Sequence, residues 1–293
     1  MKPNRPARVE PLIVTAPVRG RRVEIGTGFS ALSFDHTLFD GLMDPLLMVD
    51  HFTMGEPTFG PHPHAGMSAV SVLFEDSRGF FHNRDSLGHD VDLGPGDLYW
   101  LKAARGAVHD EGPRPGSRTH ALQVFVNLPA AAKHQAPDSL LVRAEQMPEL
   151  RGEGSRVRVV LGASHGVSGA TSPALPLTLL DVHLDPGGGF AHHLPAGHHA
   201  WIHAVRGGGQ ILVKDTAVPL ESGHAVAVRG PVGDPLESAD LVLRSEAGAQ
   251  FALLGGQPIA EPIVQRGPFV MNSREELAAA AAAYAAGEFG SID

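Results

Sequence analysis

The chain is a succession of short apolar runs, and that pattern restricts its fold more than any other feature. Ala69–Phe74, Leu98–Leu101 and Leu122–Val126 stand in the first half, with Leu177–Leu180, Gln210–Val213 and Gln250–Leu254 in the second. Each run has four to six residues, too few for an ordinary helix, and Gly and Pro punctuate the intervals. Runs of this length at close spacing are expected to form the antiparallel strands of a sandwich or barrel. They fall into two stretches of similar style, about 40 to 130 and about 176 to 258. Residues 131–175, rich in Ala, Gly, Ser and Pro, are the expected crossover. The pattern therefore predicts a duplicated β-barrel, with a division between residues 1–132 and 133–293.

One helix is expected, at the end. Ser273 and Glu276 have capping-box spacing, strong helix formers run from Arg274 to Ala286, and Gly287 supplies the stop. Its Ala-rich surface suggests packing against a sheet.

With 293 residues and 43% apolar content, the chain can bury a real core. A net charge of −9 disfavours direct binding to nucleic acid or an anionic membrane. No apolar segment is long enough to span a bilayer, and Met1–Pro6 leads into no apolar leader, so a cytoplasmic location is expected. The chain has no Cys and 17 His. Thiolate metal sites, iron–sulfur clusters and Cys nucleophiles are excluded, which leaves imidazole and carboxylate as the metal-ligating groups.

His62 and His64 lie two residues apart, so on a strand both imidazoles leave one face. His109 and Glu111 repeat that spacing after the turn signal Gly94-Pro95-Gly96-Asp97. Neighbouring strands would bring three imidazoles and one carboxylate together. That set suits Fe(II), Mn, Ni or Zn and leaves positions open for water or substrate. Either pair alone is weak; both together on a β background favour a metal site.

The remaining histidines read as structural. His192, His193, His198, His199 and His203 cluster in the second half, but adjacent residues on a strand point to opposite faces. They lack a partner block like His109-x-Glu111. Asp35-His36 and Asp50-His51 are disfavoured as acid–base dyads for the same reason. His120 is a candidate to line the first pocket, and Trp100 and Phe125 read as core. Gly187–Gly189 and Gly207–Gly209 read as turns rather than phosphate loops, and a nucleophile elbow is missing.

These blocks resemble the pirin family of the cupin superfamily. The matching segments are Asp44–Asp50, His62-Pro63-His64, Arg84–Gly88, Gly94–Asp97 with Trp100, Arg105–Glu111, Leu122–Pro129, Glu261–Val264 and Gly267–Glu276, spread over about residues 40 to 290. The resemblance implies an all-β bicupin: two antiparallel, jelly-roll-like barrels face to face, with a C-terminal α-helix. It implies one divalent metal in the first barrel, Fe(II) foremost with Ni, Mn, Zn or Cu as alternatives. Its ligands carry over to His62, His64, His109 and Glu111. Where the family has Arg-Gly-Phe-Glu after the second ligand, this chain has Ala65-Gly66-Met67-Ser68, which suggests altered pocket polarity.

The implied activity is quercetin 2,3-dioxygenase-like cleavage of a flavonol or related phenolic, with Glu111 as the catalytic carboxylate. The alternative implied by the resemblance is a non-catalytic, metal-binding regulator that binds a transcription factor or metabolic enzyme. A cupin-type sugar isomerase is disfavoured because Ala65–Val72 is largely apolar.

Overall fold

The computed structural model describes residues 12–232 and 238–292. Its chain is mostly β-strand, and the apolar runs fall inside strands as their length requires. In the first barrel a large sheet runs in the order Asp138–Val142, Leu98–Lys102, Met67–Leu73, Thr119–Asn127, Leu46–Met54, Phe29–Asp35, Arg21–Ile25. It faces a smaller sheet of His62–His64, Ala107–Pro113, Phe81–Asp85 and Asp90–Leu93. The second barrel repeats the plan. Its larger sheet centres on His199–Gly207, Ala249–Gly256 and Leu177–Leu184, and its smaller one on Gly188–Leu194 and Ala239–Ser245.

The two larger sheets pack face to face. Val70, Val72, Trp100, Leu122 and Val124 from the first barrel share one buried cluster with Leu177, Leu179, Trp201 and Leu254 from the second. Met67–Leu73 is therefore buried on both faces: Val70 and Val72 point to the interface, while Leu73 joins the cluster inside the first barrel. A strand covered on both sides has no solvent face to mark with polar residues, which explains its near-continuous apolar run.

The barrels do not part at residue 132. Ile13–Val14 and Val18–Arg19 pair with His224–Arg229 of the second barrel. Asp138–Val142 pairs with Leu98–Lys102 of the first. Each segment extends a large sheet built by other parts of the chain, and such edges call for cover. Apolar patterning reports burial but not partner, so the sequence-based division missed these exchanges.

The helix is Arg274–Ala285. Ser273 Oγ accepts from the Glu276 backbone N–H at 3.1 Å, and Glu276 Oε2 accepts from the N–H of Asn272 at 2.9 Å, one residue earlier than in a standard capping box. Leu277 and Ala280 pack on Phe269, Met271, Phe289, Ala65 and Val108. The helix thus lies on the first barrel, together with the Val264–Arg266 and Phe269–Met271 hairpin, and not on the second. Ser273→Ala should cost about 1 kcal/mol, a Tm drop of about 3 °C in thermal unfolding.

Candidate metal centre

The site begins at a sheet edge. His62–His64 pairs antiparallel with Ala107–Pro113, setting His62 opposite His109 and His64 opposite Ala107. Pro63, which has no N–H to give, is tolerated because its strand has a neighbour on one side only. The two-residue spacing turns both imidazoles to the same face, as expected. His62 Nε2 lies 3.0 Å from His109 Nε2, and His64 Nε2 lies 3.1 Å from it. One nitrogen from each ring falls within 4.8 Å of the other two.

His64 and His109 are buried, whereas His62 is partly open. Burial pushes His64 down to about 3 and holds His109 well below the usual imidazole range. Both rings are therefore neutral at physiological pH, the form that ligates metals. The Nδ1 of His62 lies 2.9 Å from the Gly60 carbonyl, which only accepts. Its proton sits there, and the Nε2 lone pair faces the cluster. Three converging Nε2 atoms, two of them on rings that burial keeps neutral, with no intervening carboxylate, fit a divalent cation.

Glu111 follows His109 by two residues and shares its face. Its Oε2 accepts from Ser71 Oγ at 2.7 Å and from Asn83 Nδ2 at 3.3 Å. Burial pushes its carboxyl up to about 7. It does not join the three imidazoles in the set of atoms lying within 4.8 Å of one another. The structure thus gathers three of the four expected ligands and sets the fourth beside them, engaged by Ser71. Ser71 Oγ also lies 2.9 Å from Gln123 Oε1, so its single proton is shared between the two oxygens.

That raised carboxyl has a stability consequence. A folded value near 7 against the ordinary 4.5 means that Glu111 favours folding while protonated. The contribution is complete below pH 4.5 and is lost as pH rises through 7. Metal-free protein should lose up to about 3 kcal/mol across this window. The difference between wild type and Glu111→Gln in urea unfolding at each pH measures it.

Sequence reasoning missed Ser71, Asn83 and Gln123. For Ser71 and Gln123 the available signal was an inward polar position within a largely apolar strand, whereas Asn83 stands in the polar strand Phe81–Asp85 and carried none. Phe125 is only partly buried and stands edge-on to the His64 ring at 5.1 Å, so it walls the site, whereas Trp100 is core. His120 does not line this pocket. It lies on the outer face of its strand, bonded to His51 and Asp76 at the interface between barrels. Asp50 and His51 turn to opposite faces, Asp50 toward Ser33 and His51 toward His203. Ala65 packs into the cluster of Phe269 and Leu277. Ser68, two positions before Val70 on the same strand, faces away from the barrel interior. Neither side chain therefore faces the three imidazoles.

The second-barrel histidines do not gather. His192 bonds Ser164, His193 pairs with Asp240, and His203 turns to the interface. Glu75, Asp181 and His183 do converge, but Arg156 pairs with Glu75 and Arg158 with Asp181, so cations already occupy that carboxylate cluster.

Comparison with known proteins agrees with the geometry. Residues 24–126 match the family model for pirin, and residues 179–290 match that of the pirin C-terminal cupin domain. Pirin of Homo sapiens is 34% identical over 239 residues, covering 81% of this chain and 80% of the human protein. A solved quercetin 2,3-dioxygenase from Acinetobacter baumannii superposes with a TM-score of 0.82 at 28% identity, covering 97% of this chain and 100% of that one. A bacterial pirin from Escherichia coli, solved in complex with nickel(II), shares the fold at a TM-score of 0.60 and 16% identity, covering 84% and 99%.

Proposed function

The chain belongs to the pirin family, and from that premise we propose that its first barrel is a metal-dependent dioxygenase site acting on a flavonol or related phenolic. The observation that carries the proposal is the convergence of His62, His64 and His109 Nε2, with Glu111 beside them on the strand that carries His109. Likeness to the Acinetobacter quercetin 2,3-dioxygenase supplies the substrate class.

His62, His64, His109 and Glu111 would hold one divalent ion, Fe(II) foremost, with Ni, Mn, Zn or Cu also accepted by such a set. When bound, the ion would supply Lewis acidity toward the substrate oxygen and access to dioxygen chemistry. The protein's own groups do the rest. Partly open His62 marks the side from which substrate enters. Phe125, with Phe59 at 6.5 Å from the His62 ring, offers aromatic walls to a planar phenolic. With Oε2 of Glu111 held by Ser71 and Asn83, Oε1 is the oxygen left to hold the ion, and it would take the substrate hydroxyl proton only on letting the ion go.

The test is oxygen-dependent loss of the quercetin absorbance band by metal-loaded protein. The proposal expects turnover in wild type and none in His62→Ala. Metal bound at the site without turnover on any phenolic would overturn the enzyme reading and leave a metal-binding regulatory protein.

A further inference from the structure

Three histidines are strung between the barrels by hydrogen bonds. His120 Nδ1 lies 2.6 Å from Asp76 Oδ1, and His120 Nε2 lies 2.7 Å from His51 Nε2. His51 Nδ1 is 2.9 Å from His203 Nε2, and His203 Nδ1 is 3.0 Å from the His224 carbonyl. His51 and His120 belong to the first barrel, His203 and His224 to the second.

Both ends of this chain only accept. Its four hydrogen bonds need four protons, and three neutral imidazoles supply three. One ring must therefore carry two. Working back from the carbonyl, His203 donates from Nδ1 and accepts at Nε2. His51 must then donate from Nδ1 and accept at Nε2. The ring left donating at both nitrogens is His120, beside the Asp76 carboxylate, whose Oδ2 also accepts from Arg206. Burial supports the assignment, because it holds His51 down to about 2 and His203 to about 4. Burial alone would raise Asp76, but hydrogen bonds from His120 and Arg206 keep it ionised.

We infer that this chain is a latch between the barrels, closed only while His120 holds two protons. While His203 donates from Nδ1 to the His224 carbonyl, the bond joining His51 to His203 across the interface needs the His51 proton on Nδ1, and that needs His120 to donate at Nε2. A neutral His120 has one N–H for two acceptors. If Asp76 keeps it, His51 must shift its own proton to Nε2 to face His120, and His203 then loses either its bond to His51 or its bond to the His224 carbonyl. The charged and titratable groups facing the chain are Asp76, Arg206, His51, His203 and His224. Arg19 and Arg22 line the same cleft as His51, and the other rings packed on the chain are Phe74 against His120 at 4.7 Å, and Phe34 and Trp201 against His203 at 5.0 and 5.4 Å. The latch therefore opens toward alkaline pH, whereas mild acid leaves it closed because His51 and His203 resist a second proton.

Nitrogen-15 imidazole NMR of the full-length protein tests the assignment, with signals identified by loss in His51→Gln, His120→Gln and His203→Gln. The expected result at neutral pH is two protonated nitrogens on His120 and one, Nδ1, on each of His51 and His203. A singly protonated His120, or a His51 proton on Nε2, overturns it. Should the core variants not fold, Asp76→Asn at the half-exposed end serves alone: it should remove the second His120 proton at neutral pH. Amide hydrogen exchange reads the latch itself. Once corrected for intrinsic rates, protection of Ile202–Ala204 should fall about tenfold in wild type as His120 loses its second proton, and should not change in Asp76→Asn. Unchanged protection in wild type across that titration overturns the latch.

Discussion

Replacing His109 with Ala should weaken metal binding by at least about 100-fold and reduce phenolic turnover to background. His109 is the hub of the cluster, since its Nε2 is within 3.1 Å of both other ring nitrogens. Its loss leaves two imidazoles and a carboxylate that Ser71 and Asn83 hold to one side. Changing groups that merely orient ligands already costs 10–100-fold in affinity in other metal sites, by about that order, so removing a ligand should cost more. Titration with Fe(II) or Ni(II), with circular dichroism to confirm the fold, measures the effect. Undiminished affinity would remove His109 from the site.

The second large effect lies two residues beyond His64. Gly66→Ala should destabilise the protein by about 4 kcal/mol, a Tm loss of about 10 °C, and should weaken metal binding with it. Gly66 has φ +74°, and a Cβ there would lie 1.7 Å from the Val270 carbonyl oxygen. That oxygen accepts from Lys133 Nζ at 3.1 Å, and the Val270 N–H donates to the Ala65 carbonyl at 2.9 Å. Any relaxation must break these contacts or move the strand that carries His64. Gly26→Ala is the control: its φ is +57°, but a Cβ there meets nothing within 4 Å. That substitution should cost only the backbone strain, about 1–2 kcal/mol, and leave metal binding intact. Equal effects of the two variants in thermal unfolding would show that the contact with Val270 carries no weight.

Much of this architecture was legible in the residues, and the boundary of legibility has a physical cause. Strand periodicity and turn residues are local signals, so Ala69–Phe74, Leu122–Val126 and the helix after Ser273 could be read directly. The two-residue spacings of His62 with His64 and of His109 with Glu111 carried the cluster, because a strand converts that spacing into a shared face. Partners distant in sequence were not legible. Nothing in Val18-Arg19 says that it pairs with the second barrel, and nothing in Phe269–Met271 says that it covers the metal motif of the first. His120 was misplaced for the same reason, since alternation fixes which positions share a face but not which face is inside. The displaced carboxylate of Glu111 depends on Ser71, 40 residues away.

Anomalous X-ray scattering from crystals of protein purified without added metal tests the central claim most directly. The account predicts one peak per chain, among the Nε2 atoms of His62, His64 and His109, with Glu111 turned toward it. A peak elsewhere, at His192 and His193 or at Glu75 and Asp181, or no peak even after soaking with divalent metal, would contradict it.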